Sequence, residues 1–173
     1  ISYCAVCDGA FYKDKTVAVI GGGNSALQEA DLLSETSKKV YIVQNLAFVT
    51  GEKKLEEILK GRSNVEFIFS NVVKELIGET SLEGIIIEDI ESGAITNLDV
   101  DGVFVCIGQA PENEPFTNLV SLNDYGYIDS GEDCLTQTEG IFTAGDCRSK
   151  LVRQITTATG DGAVAAIAAC RYI

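Results

Sequence analysis

The chain contains no histidine, so a Ser-His or Cys-His nucleophile pair and a His-ligated metal are excluded. It contains no methionine, and a natural reading frame starts with one; the expectation is a piece of a longer protein or a processed product. Tryptophan is absent and there are only 2 prolines. No long apolar run exists: the longest uncharged one is Ala163–Cys170, far short of the ~18 residues that a membrane span needs. The N-terminal Ile-Ser-Tyr-Cys has no basic segment followed by an apolar one, so no secretory signal is visible. Cations are scarce. Lysine and arginine total 13 against 26 acidic residues, for a net charge of −13. Such a polyanion does not collect phosphate backbones by counterion release, so nucleic acid and anionic membrane surfaces are disfavoured as partners.

What remains is ordinary for a globular chain of 173 residues, 46% hydrophobic and 23% charged. Six cysteines are present, and only Cys4 and Cys7 are close in sequence. A disulfide-scaffold reading needs a short, loop-rich secreted chain; a reducing cytoplasm fits better.

The pattern predicts an α/β fold. Thr16–Ile20 is a continuous apolar, β-branched run ending at Gly21-Gly22-Gly23. A helix is expected over Asn24–Glu35, capped by Asn24 or Ser25, and a second strand over Lys39–Val43. Strand, glycine turn, helix and strand within about 30 residues form a βαβ unit with a parallel pair. A helix over Glu52–Lys60 stopped by Gly61 and a strand over Val65–Phe69 follow. Val72–Ile77, Gly84–Ile90 and Ala94–Leu98 then read as an antiparallel meander, with Ser92-Gly93 as one turn. Val103–Ile107 reads as a central parallel strand. Beyond Pro111 the texture changes to short strands, at Tyr127–Asp129 and Ile141–Thr143, and an apolar helix over Gln154–Tyr172. A domain boundary is expected near 111–116.

Three motifs carry chemistry. Gly21-Gly22-Gly23-Asn24-Ser25-Ala26 fits G-x-G-x-x-A between a strand and a helix. In that context Gly21 permits the tight turn, Gly23 lets the backbone approach a pyrophosphate, and Ala26 lets the helix pack close, with its N-terminus facing the anion. The rival reading is a structural turn. A dinucleotide site usually carries an acidic residue ~20 positions on, or an arginine for a 2′-phosphate; Gln44 and Asn45 stand there.

Cys4-Ala5-Val6-Cys7-Asp8-Gly9 is a C-x-x-C, suited to thiol–disulfide exchange, with Asp8 placed to move a proton. Zinc would need two further ligands, and no second C-x-x-C supplies them, so no metal site is assigned; inert cysteines are the other alternative. Gly145-Asp146 could accept from a sugar hydroxyl, and Arg153-Gln154 could meet an anion at the last helix. A capped turn and a surface pair are the plainer readings of those two.

Taken together, these residues resemble the low-molecular-weight, bacterial-type thioredoxin reductases. Ser2-Tyr3-Cys4-Ala5-Val6-Cys7-Asp8-Gly9 is similar to the family's redox segment, and Val19–Ala26 to its nicotinamide-site loop. Ile107-Gly108-Gln109-Ala110-Pro111 is similar to the end of that domain. Thr143-Ala144-Gly145-Asp146-Cys147, Arg153-Gln154-Ile155 and Thr159-Gly160-Asp161-Gly162 are similar to its C-terminal flavin-contact segment.

The resemblance implies a Rossmann-like three-layer nucleotide-binding domain with an antiparallel β-meander, plus the C-terminal part of a second, FAD-type domain. Residues 1–112 would be the nicotinamide-binding-like domain carrying the C-x-x-C, and 113–173 the FAD-domain portion. Cys4 and Cys7 would form the redox-active disulfide, and Asp8 would be the acid–base residue. Gly21, Gly22, Gly23, Asn24, Ser25 and Ala26 would hold the dinucleotide phosphates. Asp146, Arg153, Gln154 and Ile155 would contact FAD. The complete protein would be a cytoplasmic homodimer that reduces thioredoxin or a similar protein disulfide.

Two departures qualify the family's pattern. The upstream half of the FAD domain has no counterpart here, which implies that this chain alone holds flavin weakly or not at all. The His-Arg-Arg-x-x-x-Arg of NADPH-using members aligns with Gln44-Asn45-Leu46-Ala47-Phe48-Val49-Thr50, with Asn45, Leu46 and Thr50 in place of the arginines. Each lost charge-assisted contact is worth ~1.5–3 kcal/mol, which disfavours NADPH and leaves NADH or a protein donor such as ferredoxin.

Overall fold

The computed structural model describes all of residues 1–173, which divide into two compact units, Ile1–Gly108 and Gln109–Ile173.

The first unit follows from its hydrophobic periodicity. Strands β1 (Thr16–Ile20), β2 (Lys39–Val43) and β3 (Val65–Ile68), with a later strand β7 (Gly102–Val105), form a parallel sheet of order β3-β2-β1-β7. Its side chains alternate between two buried layers. Val17, Val19, Val40, Ile42 and Phe104 pack on one face against α2 (Asn24–Ser34), through Ala26, Leu27, Ala30 and Leu33. Helix α3 (Lys53–Lys60) adds Leu59 to this layer.

The other face sets Ala18, Val43 and Val103 against Ile85 and Ile87 of a meander. That antiparallel sheet comprises β4 (Asn71–Ile77), β5 (Gly84–Asp89) and β6 (Ile95–Asp99) in the order β4-β5-β6. Helices, parallel sheet and meander are the three layers.

Several local expectations change. The run at 103–107 is not central; β7 lies at an edge of the parallel sheet. It is apolar because both of its faces are covered, Phe104 in one core layer and Val103 and Val105 in the other, while its free edge is taken by the N-terminal segment. Ser2 donates its N–H to the Val103 carbonyl (2.8 Å), and its own carbonyl accepts from the Val105 N–H (2.9 Å). Neither Asn24 nor Ser25 caps α2: Gly23 is the N-cap, and the Asn24 side chain instead accepts the Glu52 N–H at 2.7 Å. The first segment also contains a single-turn helix α1 (Ala5–Asp8) and a 3₁₀ turn over Gly9–Tyr12, both too short to give a periodic signal.

The second unit has one long helix, α4 (Ile155–Tyr172). The strands expected at 127–129 and 141–143 reduce to single bridges, Leu122 with Ile128, Ile128 with Arg148, and Leu135 with Phe142. Side-chain hydrogen bonds replace the ladders. Asn113 Nδ2 donates to the carbonyls of Gly126 (2.9 Å) and Cys147 (2.8 Å), and Thr136 Oγ1 donates to that of Ile141 (2.8 Å).

Candidate functional site

The redox segment is built by the strip of chain that pairs with β7. Cys4 is the N-cap of α1, so its carbonyl accepts the N–H groups of Cys7 (3.2 Å) and Asp8 (3.0 Å). That turn closes the Cys4–Cys7 disulfide, with a Cα–Cα distance of 5.3 Å. Cys4 is half-buried and Cys7 exposed, beside the strongly exposed Tyr3 and Val6.

Two residues unforeseen as site residues hold this segment. Ser2 is buried, and its hydroxyl donates to Asp8 Oδ2 at 2.7 Å while accepting the Cys4 N–H at 3.1 Å. One oxygen thus ties the proposed acid–base carboxylate to the backbone of the first cysteine. Glu29, on α2, accepts the Ala5 N–H. Burial raises the Glu29 carboxyl above the ordinary range, and that N–H opposes the rise. Ser2 lies inside the quoted motif, but nothing in its spacing marks it. Glu29 is an acid on a helix face, a residue type that is usually solvated.

Cys106 follows β7 as a free, half-buried thiol. Burial, helped by the Glu29 charge, pushes its thiol up to about 12, so it stays protonated at neutral pH. Burial likewise raises the Cys134 thiol.

The glycine turn sits at the carboxyl ends of β1 and β2. Gly21 has φ +126°, and a side chain there would collide with the Cys106 carbonyl. Ala26, fully buried, packs beneath it. A Cβ on Gly22 would lie 2.6 Å from Gln44 Nε2, so Gln44 fills the space beside the second glycine. Gly23 faces open space, with Thr50 Oγ1 the nearest atom, 3.7 Å from where a Cβ would be. No side chain caps α2, so its first-turn amides face this opening. Asn24 and Ser25 are exposed there.

The turn borders a cleft of about 970 Å³ whose walls also include Asn45, Leu46, Val72 and Lys74. This opening, the bare helix terminus and the left-handed glycine fit a dinucleotide phosphate. Asn45, Leu46 and Thr50 are exposed. The cleft's one cationic side chain, Lys74, is already paired with Glu88 at 2.6 Å. Cys4, Cys7 and Asp8 are not part of the cleft wall.

In the second unit Gly145 takes φ +86° and Asp146 is exposed. The Asp146 carbonyl accepts from Arg153 Nε at 3.4 Å, and the Arg153 guanidinium lies 3.7 Å from the centre of the Tyr127 ring. Gln154 forms a capping box with Thr157 at the start of α4, and Ile155 is 85% exposed. Asp146, Arg153, Gln154 and Ile155 therefore share one region around the helix terminus. They fit a flavin as an open edge rather than as an enclosing pocket.

A parallel sheet with a glycine turn and a cysteine pair bonded one turn apart defines a nucleotide-fold disulfide protein. Residues 1–162 match the pyridine nucleotide-disulphide oxidoreductase family, and the chain belongs to that family. It is 41% identical to the thioredoxin reductase of Bacillus subtilis (strain 168), over 100% of this chain and 55% of that protein. It is 40% identical to the 34.2 kDa protein in rubredoxin operon of Clostridium pasteurianum, over 100% of this chain and 56% of that one. Among solved structures, the thioredoxin reductase from Streptococcus pyogenes MGAS5005 superposes with TM-score 0.89 at 38% identity, covering 99% of this chain and 56% of that one. The chain thus spans a little over half the length of the relatives it matches.

Proposed function

We propose that this chain is part of a flavin-dependent disulfide oxidoreductase that reduces thioredoxin or a similar protein disulfide through Cys4 and Cys7. The observation that carries the reading is the accessible Cys4–Cys7 disulfide beside an Asp8 carboxylate held in place by Ser2. The same reading makes the complete protein a cytoplasmic homodimer, with residues 1–112 as its nicotinamide-type domain and 113–173 as part of its FAD domain. Asp146, Arg153, Gln154 and Ile155 would contact FAD, and Gly21–Ala26 the dinucleotide phosphates.

Bound flavin would supply two-electron transfer between the donor and the disulfide. This chain's residues then do the sulfur chemistry. Two electrons and two protons convert the Cys4–Cys7 bond into two thiols, with Asp8 positioned to pass a proton to or from a sulfur. One sulfur, as thiolate, attacks the partner's disulfide; that S–S bond breaks and its leaving thiolate takes a proton. The second cysteine then attacks the mixed disulfide, releasing the partner as a dithiol and restoring Cys4–Cys7.

The donor reading is NADH rather than NADPH. The glycine turn keeps its opening, while the positions facing a 2′-phosphate are Asn45, Leu46 and Thr50. The same replacements favour a second reading, in which a protein such as ferredoxin supplies the electrons. Stopped-flow reduction of the whole flavoprotein by NADH, NADPH and reduced ferredoxin separates them. NADH is expected to bleach the flavin fastest; reduction by ferredoxin alone overturns the nicotinamide reading. A non-catalytic nucleotide-binding or redox-sensing role is the other alternative. Full protein-disulfide turnover after Cys4→Ser and after Cys7→Ser would exclude the enzyme reading at this pair. A potential far from about −270 mV would favour a sensor.

A further inference from the structure

The second unit buries an ion cluster that the sulfur chemistry does not use. Arg148 is 2% exposed and Asp161 8%. The guanidinium grips the carboxylate at two points, Nε to Oδ2 and Nη2 to Oδ1, both at 2.9 Å. Lys150 Nζ donates to Oδ2 at 2.8 Å, and the Gly145 N–H donates to the same oxygen at 3.0 Å. Arg148 Nη1 is spent on the carbonyls of Gly131 and Ser149, both at 3.2 Å, and Nη2 also faces Glu132 Oε1 at 3.5 Å. Every donor in the cluster has an acceptor, and four donors nearly fill the carboxylate.

We propose that Asp161 is a positioning residue for the turn Gly145–Asp146, held in register with the N-terminus of α4 through the Gly145 N–H. This rests on the reading that Asp146 and the α4 terminus contact FAD.

The argument is geometric. Ala158 and Asp161 are three residues apart on α4 and so present the same face. Ala158 Cβ lies 3.8 Å from where a Cβ on Gly145 would be, and Asp161 accepts the Gly145 N–H. One contact sets how near the turn lies to the helix, and the other sets which way its peptide points. The same helix begins at Gln154 and Ile155, so the turn and the helix terminus move as one body.

Arg148 and Lys150 neutralise the carboxylate and keep it ionised at this depth. Holding the unit together does not by itself call for such a pair, because buried ion pairs are commonly replaced by apolar residues at no cost in stability. What an apolar pair cannot supply is a fixed acceptor for the Gly145 amide. The flanking left-handed glycine would otherwise let that peptide turn.

The test uses the whole flavoprotein with FAD as the probe. Asp161→Asn is expected to weaken FAD binding about tenfold or more, the size of one lost charge-assisted hydrogen bond, and to blur the shoulders of the flavin's visible band. Val120→Ala removes buried volume elsewhere in the unit and serves as the stability control; it is expected to leave FAD affinity and band shape unchanged. If Asp161→Asn does not fold, Arg148→Met and Lys150→Met with Asp161→Leu replace the whole ion cluster by apolar side chains without the acceptor, and FAD should still bind weakly.

A folded Asp161→Asn or triple variant with native affinity and band shape overturns the assignment. So does an equal loss in Val120→Ala. Asp146→Ala separates the two levels. If it weakens FAD while Asp161→Asn does not, positioning alone fails. If it changes nothing, the underlying flavin reading fails, and the assignment with it.

Discussion

The two units bury different kinds of side chain. In the first, Val17, Val19, Leu27, Ile42, Ile85 and Phe104 are almost wholly buried between regular layers, and the backbone is paired in two sheets. In the second, the buried side chains are Val120, Ile128 and Cys134 together with Asn113, Thr143, Arg148 and Asp161. Where apolar layers supply the cohesion, the polar groups on the surface are free for chemistry, as the cysteine pair shows. Where regular pairing is sparse, polar side chains must hold the loops, and the charges that do so lie against the Gly145–Asp146 turn.

The largest expected effect tests whether chemistry in the first unit is separable from its core. Cys4→Ser or Cys7→Ser in the whole protein should reduce protein-disulfide turnover to background, while hydrogen exchange in β1, β2 and β7 stays protected. A loss of that protection would tie the redox segment to the fold and break the contrast.

Next come the two interiors. Phe104→Ala removes a fully buried ring packed edge-on against Tyr12 and should cost about 3–5 kcal/mol, read as deprotection of the first unit alone. Asp161→Asn leaves Arg148 buried without its partner and should cost about 3–5 kcal/mol in the second unit alone.

Acid should distinguish the units in the same way. Arg148 beside Asp161, with Lys150 and the Gly145 amide, holds that carboxyl well below the ordinary range against its burial. A depressed folded-state value stabilises the protein above the unfolded value of ~3.9, and the contribution is lost as pH falls through the folded value. The second unit should therefore lose protection progressively below about pH 4, and this dependence should shrink in Asp161→Asn.

A smaller effect sharpens the donor reading. Asn45→Arg, Leu46→Arg and Thr50→Arg together should raise NADPH affinity at least about tenfold over the parent, with NADH little changed, in a fluorescence titration of the whole protein. The smallest marks the surface baseline. Lys60→Ala removes an exposed i,i+4 pair with Glu56 and should cost only about 0.3–0.5 kcal/mol.

The first unit was legible in the sequence because its signals are local. Thr16–Ile20 stands against Gly21–Gly23 as a strand before a turn, and both strand elements after it keep their predicted bounds to within a residue. The meander was legible for the same reason. β7 showed where such signals end: an apolar run does not reveal whether its neighbour is another strand or, as here, two residues of the N-terminal segment. The expected strands at 127–129 and 141–143 failed for the same cause, since the bridging partners of Ile128 are Leu122 and Arg148 and hydrogen bonds from distant side chains do the rest.

By itself the sequence determined the βαβ frame, the glycine turn, the meander and the spacing that lets Cys4 and Cys7 bond, because each depends on residues that are neighbours along the chain. Only the tertiary structure decided that Ser2 holds Asp8, that Glu29 reaches the Ala5 amide, and that Gln44 packs against Gly22. It alone brought Arg148, Lys150 and Gly145 onto Asp161. A hydrogen bond or a close contact is made by distance in space, and these side chains, from 6 residues apart for Ser2 and Asp8 to 24 for Ala5 and Glu29, carry no periodic trace of the partner that folding brings them.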